Sequence, residues 1–251
     1  MKEHTRTQFI DLGNATLDKL AVGSFGKAGS GKTRLILTMP GKIGAICLDR
    51  KSRRTIERGA EQLGLPKGKI VLPKEDFVRL ARPMELAMMT NDNAMVFYRE
   101  HVNRIKDAVF TLAERSDIDS IAIDSGTQMT EDVLFANYGR DQKIMPRDRG
   151  LFNSEMKQLF AGIQNKHVLV THEARAIWLN DKPTKTDEWT GWSKLPYNVS
   201  MIVEHFGPPH KKGFELVVRL CQDQPDLIGQ TIQEGEDIDY EALAMQVWAG
   251  E

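Results

Sequence analysis

The chain reads as an α/β domain built on a mainly parallel sheet with helices on both faces. Three observations carry this reading. The runs Leu20–Phe25, Ile43–Leu48, Ile118–Ile123 and His167–Val170 are mostly apolar rather than alternating, as strands buried on both faces are. Segments with helical apolar spacing lie between them. Polar residues suited to chemistry fall just past the run ends, where open α/β sheets bind ligands.

The elements follow in order. Residues 1–18 are a polar lead-in without the apolar core of a signal peptide. Residues 19–225 form the domain. After the first strand and a glycine-rich stretch, a helix begins at Arg34 and stops at Pro40-Gly41. The second strand ends at Asp49, a helix spans 53–63, and Ile70–Leu72 is a brief strand. Residues 76–115 are helical in pattern with a break at Asn91-Asp92-Asn93. A strand ends at Asp124, and helices follow over 130–138 and 151–163, separated by a polar, basic loop from Gly139 to Gly150. Residues 173–196 show no clear period and are expected as a long loop or hairpin. Two late strands cover 200–205 and 214–221. Residues 226–251 are expected as an acidic C-terminal tail, since positions 220–251 hold eight acidic and no basic residues.

A 251-residue chain with 41% hydrophobic and 27% charged residues is long and apolar enough to bury a core. Cys47 and Cys221 stand far apart in apolar runs, which excludes a disulfide framework and points to buried, reduced thiols. No run of 18 apolar residues exists, so no membrane partner is expected. The net charge of -1 is silent about nucleic acid, and the distribution of charge has to be read instead.

Gly26-Lys27-Ala28-Gly29-Ser30-Gly31-Lys32-Thr33 fits G-x-x-x-x-G-K-[ST] in full, between a strand and a helix that continues through Arg34. Its glycines reach conformations closed to residues with a Cβ and let the backbone approach phosphate. Loop amides and the helix N-terminus then surround the anion. Lys32 should reach the β and γ phosphates, and Thr33 should place its hydroxyl on Mg²⁺. Ile118–Ser125 is an apolar strand ending in an acid, the Walker B arrangement, so Asp124 should support Mg²⁺ opposite Thr33. Asp124 and Ser125 also suit the N-cap of the following helix. No glutamate follows Asp124. ATP with Mg²⁺ is the expected ligand, and no Asn-Lys-x-Asp guanine motif is present.

With both motifs in hand, the chain resembles RecA-like ATPases, and more closely the phage-encoded Sak-type nucleotide-binding proteins linked to single-strand annealing and recombination. The resemblance rests on Gly26–Thr33, on Ile121-Ala-Ile-Asp124-Ser125 and on His167-Val-Leu-Val-Thr-His172-Glu173. It implies a γ-phosphate-sensing role for His172, where the alternative is a strand-end histidine that caps a helix or meets a carbonyl. It also implies a catalytic glutamate after the second strand. That stretch reads Asp49-Arg50-Lys51, which leaves Asp49 as the candidate general base. It further implies a homo-oligomer, ring or filament, in which a neighbour supplies a cation such as Lys211 or Lys212. Single-strand binding or recombination proteins are implied as partners. The location implied is cytoplasmic, in the bacterial host if the chain is phage-encoded.

Charge supports a nucleic-acid partner. From Gly41 to Arg82 there are eleven Lys or Arg against five Asp or Glu, densest over Arg50–Arg54 and Arg58. Two loops combine with this: one carries Arg140, Lys143, Arg147 and Arg149, the other Arg175, Lys182 and Lys185 with Trp178, Trp189 and Trp192. Cations mixed with aromatics suit single-stranded DNA. The bland alternative is solvated surface with core tryptophans. The leading expectation is an ATPase acting on single-stranded DNA in recombination or replication. Two alternatives stay open: a small-molecule kinase with Arg140, Arg147 and Arg149 as its lid, and a nucleotide-dependent switch or scaffold with slow hydrolysis.

Overall fold

The computed structural model describes residues 19–48, 50–75, 77, 88–139, 149–179, 182–207, 213–235 and 238–248. Among the described residues nine strands form one mixed sheet: β1 (Ala21–Gly26), β2 (Ile43–Cys47), β3 (Ile70–Val71), β4 (Ser120–Asp124), β5 (His167–Leu179), β6 (Lys182–Thr190), β7 (Met201–Phe206), β8 (Phe214–Cys221) and β9 (Thr231–Gly235). Their order is β3-β2-β4-β5-β1-β7-β8-β9, with β6 paired to β5. The six strands from β3 to β7 run parallel, and β8 and β9 close one edge antiparallel. Among the described residues six helices pack on it: α1 (Lys32–Leu37), α2 (Arg50–Gln62), α3 (Asn91–Glu114), α4 (Gly126–Tyr138), α5 (Gly150–Ala161) and α6 (Tyr240–Trp248).

The apolar runs are explained by two cores. Successive strand residues point to opposite faces. On one face, Phe25, Ile123, Val168 and Val170 pack under α3, α4 and α5 through residues such as Val102, Met129 and Phe160. On the other, Val22, Ala45, Ala122 and Leu169 meet Leu35 and Ile36 of α1, Ile56 of α2 and Leu243 of α6. This second face carries the phosphate loop. The helices start where their capping chemistry permits: Thr90 Oγ1 accepts from the Asn93 amide at 3.3 Å, and Ser125 Oγ accepts from the Gln128 amide at 3.2 Å.

Residues 173–196 hold the hairpin, one of the two forms expected: the second half of β5 pairs antiparallel with β6, Glu173 opposite Thr190, with a register shift between Ala176 and Trp178. The described residues of 226–251 do not behave as the expected tail. They supply β9 to the sheet edge and α6 to the core, with Tyr240, Leu243 and Val247 buried. The apolar spacing 240, 243, 244, 247 is one helical face, and burying it outweighs the surrounding acidity. The lead-in 1–18 lies outside the described residues, as do Asp49, Arg140, Lys143, Arg147, Lys211 and Lys212.

Candidate nucleotide site

The phosphate loop leaves β1 at Gly26 and enters α1 at Lys32. Gly29 and Gly31 have φ of 80° and 95°, the left-handed region that a side chain disfavours. A Cβ on Gly31 would also lie 2.9 Å from the Phe214 ring and from Ile238. Lys27, Ala28 and Gly29 are exposed, Ser30 is buried, and Lys32, Thr33 and Arg34 are half-buried. The Lys32 ammonium folds back onto its own loop, donating to the Gly26 carbonyl at 2.6 Å and the Lys27 carbonyl at 2.9 Å. Burial pushes its pKa down, and the Asp124 and Glu173 carboxylates pull it back up. A half-buried cation satisfied only by carbonyls is ready to exchange them for phosphate oxygens.

Asp124 ends β4, 7% exposed, on the α1 face. Thr171 of β5 donates its hydroxyl to Asp124 Oδ1. The Asp124–Ser125 peptide bond is cis, and Ser125 caps α4. Thr33 and Asp124 offer a hydroxyl and a carboxylate, hard oxygen donors of the kind that hold Mg²⁺ together with phosphate. The donor set therefore fits the expected ion.

His172 was expected at a strand end, but β5 runs on to Leu179; the residue lies near the end of the part paired with β1, and its ring is turned away from the phosphate-loop face. It pairs in register with Phe25, and it crowds Gly126 and Gly191: a Cβ on either would come within 2.7 Å of the ring. Nδ1 donates to the Thr190 carbonyl at 3.1 Å, which leaves Nε2 as a buried acceptor without a partner among the described residues. Burial pushes its pKa down to about 4, so the ring is neutral near pH 7. The histidine thus ties β5 to the hairpin strand β6.

The sequence reading missed three features. Gly26 is flanked by Glu173 of β5 and His205 of β7. His205 is buried, 2.8 Å from Ser24 Oγ through Nε2, and burial pushes its pKa to about 3. The visible signal was a Glu204-His205 pair inside an apolar strand, since buried polar groups need a reason. Third, Thr127 Oγ1 donates to the Thr190 carbonyl at 2.5 Å and accepts from the Glu173 amide at 3.0 Å, stitching α4 to both hairpin strands.

The nucleic-acid candidates divide. Arg175 is exposed but pairs with Glu188 at 2.9 Å. Lys182 is exposed, and Lys185 lies on β6. Arg149 precedes α5, half-buried, its Nε without a partner among the described residues. Two of the tryptophans belong to the core rather than to a stacking surface. Trp192 is buried against Phe160 and donates to Asn153 Oδ1 at 2.9 Å. Trp189 is half-buried, edge-on to Phe25 with ring centres 6.0 Å apart. Burying two large aromatic surfaces under the hairpin outweighs displaying them to water. On α2, Lys51, Arg54 and Arg58 are exposed, whereas Arg53 is tied to Glu57 and the Pro73 carbonyl.

No protein-family model matches the chain, and no curated protein matches it in sequence. Among solved structures it is similar to the crystal structure of the RadB recombinase, at 17% identity and a TM-score of 0.50, over 91% of this chain and 94% of that one. Among the described residues no helix is long and apolar enough to cross a membrane. The sheet order, the flanking helices and this likeness together give the chain a RecA-like α/β fold.

Proposed function

We propose that the chain is a Mg²⁺-dependent ATPase that works on single-stranded DNA as a homo-oligomer in recombination or replication of the phage type. The observation that carries this is the half-buried Lys32 ammonium, held by loop carbonyls at the carboxyl end of a parallel sheet, where the Asp124 and Glu173 carboxylates favour its charged form. The likeness to a recombinase supports the recombination setting, and the Sak-type resemblance supports a phage-type one in the bacterial cytoplasm.

The chemistry is in-line attack of water on the γ phosphorus, with ADP as leaving group. The loop from Gly26 to Thr33 cradles the phosphates through its amides, and Lys32 answers charge developing on the γ-phosphoryl oxygens. Mg²⁺, when bound through Thr33 and Asp124, supplies further charge neutralisation at the phosphates. The exposed cations of α2, Arg149 and Lys182 are the described groups available to the DNA backbone. His172 acts as a positioning residue between β5 and the hairpin.

A nucleotide switch with slow turnover is the second reading. It is favoured by Ser125, a helix cap, standing where a glutamate would activate water. ATP turnover with and without single-stranded DNA decides between them, with Lys32→Ala as control. Turnover that rises with DNA and vanishes in the variant supports the first reading. Turnover indifferent to DNA removes it, and binding without turnover leaves the switch.

A further inference from the structure

Thr171 and Glu173 are two residues apart in β5, and the pairing of β5 with β1 is regular through both. Their side chains therefore leave the sheet on one face. The hydrogen bond from Thr171 to Asp124 identifies it as the face of α1 and the phosphate loop. His172, between them, points to the opposite face. The β5 residue presented to the nucleotide is thus Glu173 rather than the histidine before it.

Glu173 is placed well for this. It lies beside Gly26, the first residue of the loop. Its amide donates to Thr127 Oγ1 at 3.0 Å and its carbonyl accepts from Thr190 Oγ1 at 2.9 Å, so the backbone is held on both sides. The residue is exposed, and among the described residues its carboxylate has no hydrogen-bond partner. It is also the second carboxylate, after Asp124, whose field reaches the Lys32 ammonium. Asp124 is already engaged by Thr171, and Ser125 caps α4.

We propose that Glu173 is the catalytic carboxylate of this site, orienting the attacking water and accepting its proton. The inference rests on the ATPase reading above and adds the base which that reading lacks. As the water oxygen bonds to the γ phosphorus, one water proton passes to a Glu173 carboxylate oxygen. The bond from the γ phosphorus to the bridging oxygen breaks, and ADP leaves with that electron pair. Glu173 then returns its proton to solvent.

The test compares wild type, Glu173→Gln and Glu173→Asp in single-turnover ATP hydrolysis, alongside affinity for a fluorescent ATP analogue and the thermal midpoint. The glutamine variant should bind the analogue within a few-fold of wild type and unfold at the same temperature. It should hydrolyse ATP about 10²-fold or more slowly, the usual contribution of a positioned base. The aspartate variant should fall between. A glutamine variant within threefold of wild type overturns the role of Glu173 and leaves the ATPase intact. A wild type that binds the analogue but never hydrolyses ATP overturns both.

Discussion

Lys27 of the phosphate loop forms an ion pair with Asp187 of β6, Nζ to Oδ2 at 3.2 Å. The nucleotide loop and the β5–β6 hairpin are therefore joined by charge at a point where no backbone pairing joins them. Lys27 is exposed, so the pair adds at most about 1 kcal/mol to global stability. Its effect is local. Asp187→Asn should leave the unfolding midpoint within a degree or two and speed tryptic cleavage after Lys185 several-fold. Equal cleavage rates in both proteins would show that Thr127, Thr190 and the tryptophans hold the hairpin unaided.

The Ser24–His205 contact supports the loop from beneath. His205→Ala removes the buried partner of the Ser24 hydroxyl and opens space below Gly26. Stability should fall by about 1–3 kcal/mol, the usual cost of an orphaned buried polar group. Affinity for ATP should weaken by more than it does in a control of equal instability on α3, such as Val109→Ala. Matched affinities in the two variants would confine His205 to packing.

Much of the site was legible because the phosphate loop writes its backbone demands into glycine. Gly29 and Gly31 occupy left-handed φ where the motif requires it. Asp124 was legible as an acid ending an apolar run. The hairpin was legible only as one of two forms, long loop or hairpin, because the charges of β6, KPTKTDEWT, hide its pairing with β5. His205 was legible only as a polar residue inside an apolar strand, because its partner Ser24 is 181 positions away. The C-terminal helix was legible in its apolar spacing, but the eight acidic residues from 220 onward drew the reading toward a tail. Glu173 needed only alternation: once Thr171 is placed beside Asp124, the residue two further on must share its face.

Stability should fall on mild acidification. Burial pushes His167 and His172 to about 4 and His205 to about 3. In the unfolded chain each titrates near 6.5. Below that pH the unfolded state takes up protons that the folded state refuses, so stability present above about pH 6.5 is lost as pH falls toward 4. Each histidine contributes a loss of about 2 kcal/mol between pH 7 and pH 5. His167 shows why the folded state resists: its Nδ1 accepts the Leu20 amide at 3.3 Å, and protonation removes that acceptor. Urea unfolding at the two pH values measures the difference; identical midpoints would mean these rings are solvated.

Gly126 follows the cap of α4 and touches the sheet directly. A Cβ there would sit 2.4 Å from Val170 Cγ1 and 2.7 Å from the His172 ring. Gly126→Ala must therefore move α4 off β5 or rotate His172 away from the Thr190 carbonyl. The cost should be about 1–3 kcal/mol, as for overpacking elsewhere. ATP turnover should drop further than stability alone requires, because α4 begins two residues after Asp124. A variant with wild-type melting and turnover would show that α4 can slide freely.

The C-terminal helix gives the sharpest contrast between a solubilising tail and a part of the core. Tyr240 is fully buried, its hydroxyl donates to the Leu20 carbonyl at 2.7 Å, and its amide donates to Thr38 Oγ1 at 2.9 Å. It therefore ties α6 to both the start of β1 and the end of α1, the two elements that flank the phosphate loop. Burial pushes its phenol well above the usual tyrosine range, so the hydroxyl stays a donor throughout the neutral and alkaline range. Tyr240→Phe leaves the Leu20 carbonyl without that donor and should cost about 1–3 kcal/mol. Ending the chain at Ile238 removes Tyr240, Leu243, Ala244 and Val247 together and uncovers Leu35 and Ile36. Each lost large apolar side chain costs about 2–5 kcal/mol, which exceeds what a domain of ordinary stability retains. The truncated chain should therefore be recovered unfolded or aggregated by circular dichroism and gel filtration. A folded, monodisperse truncation would return these residues to the role of a tail.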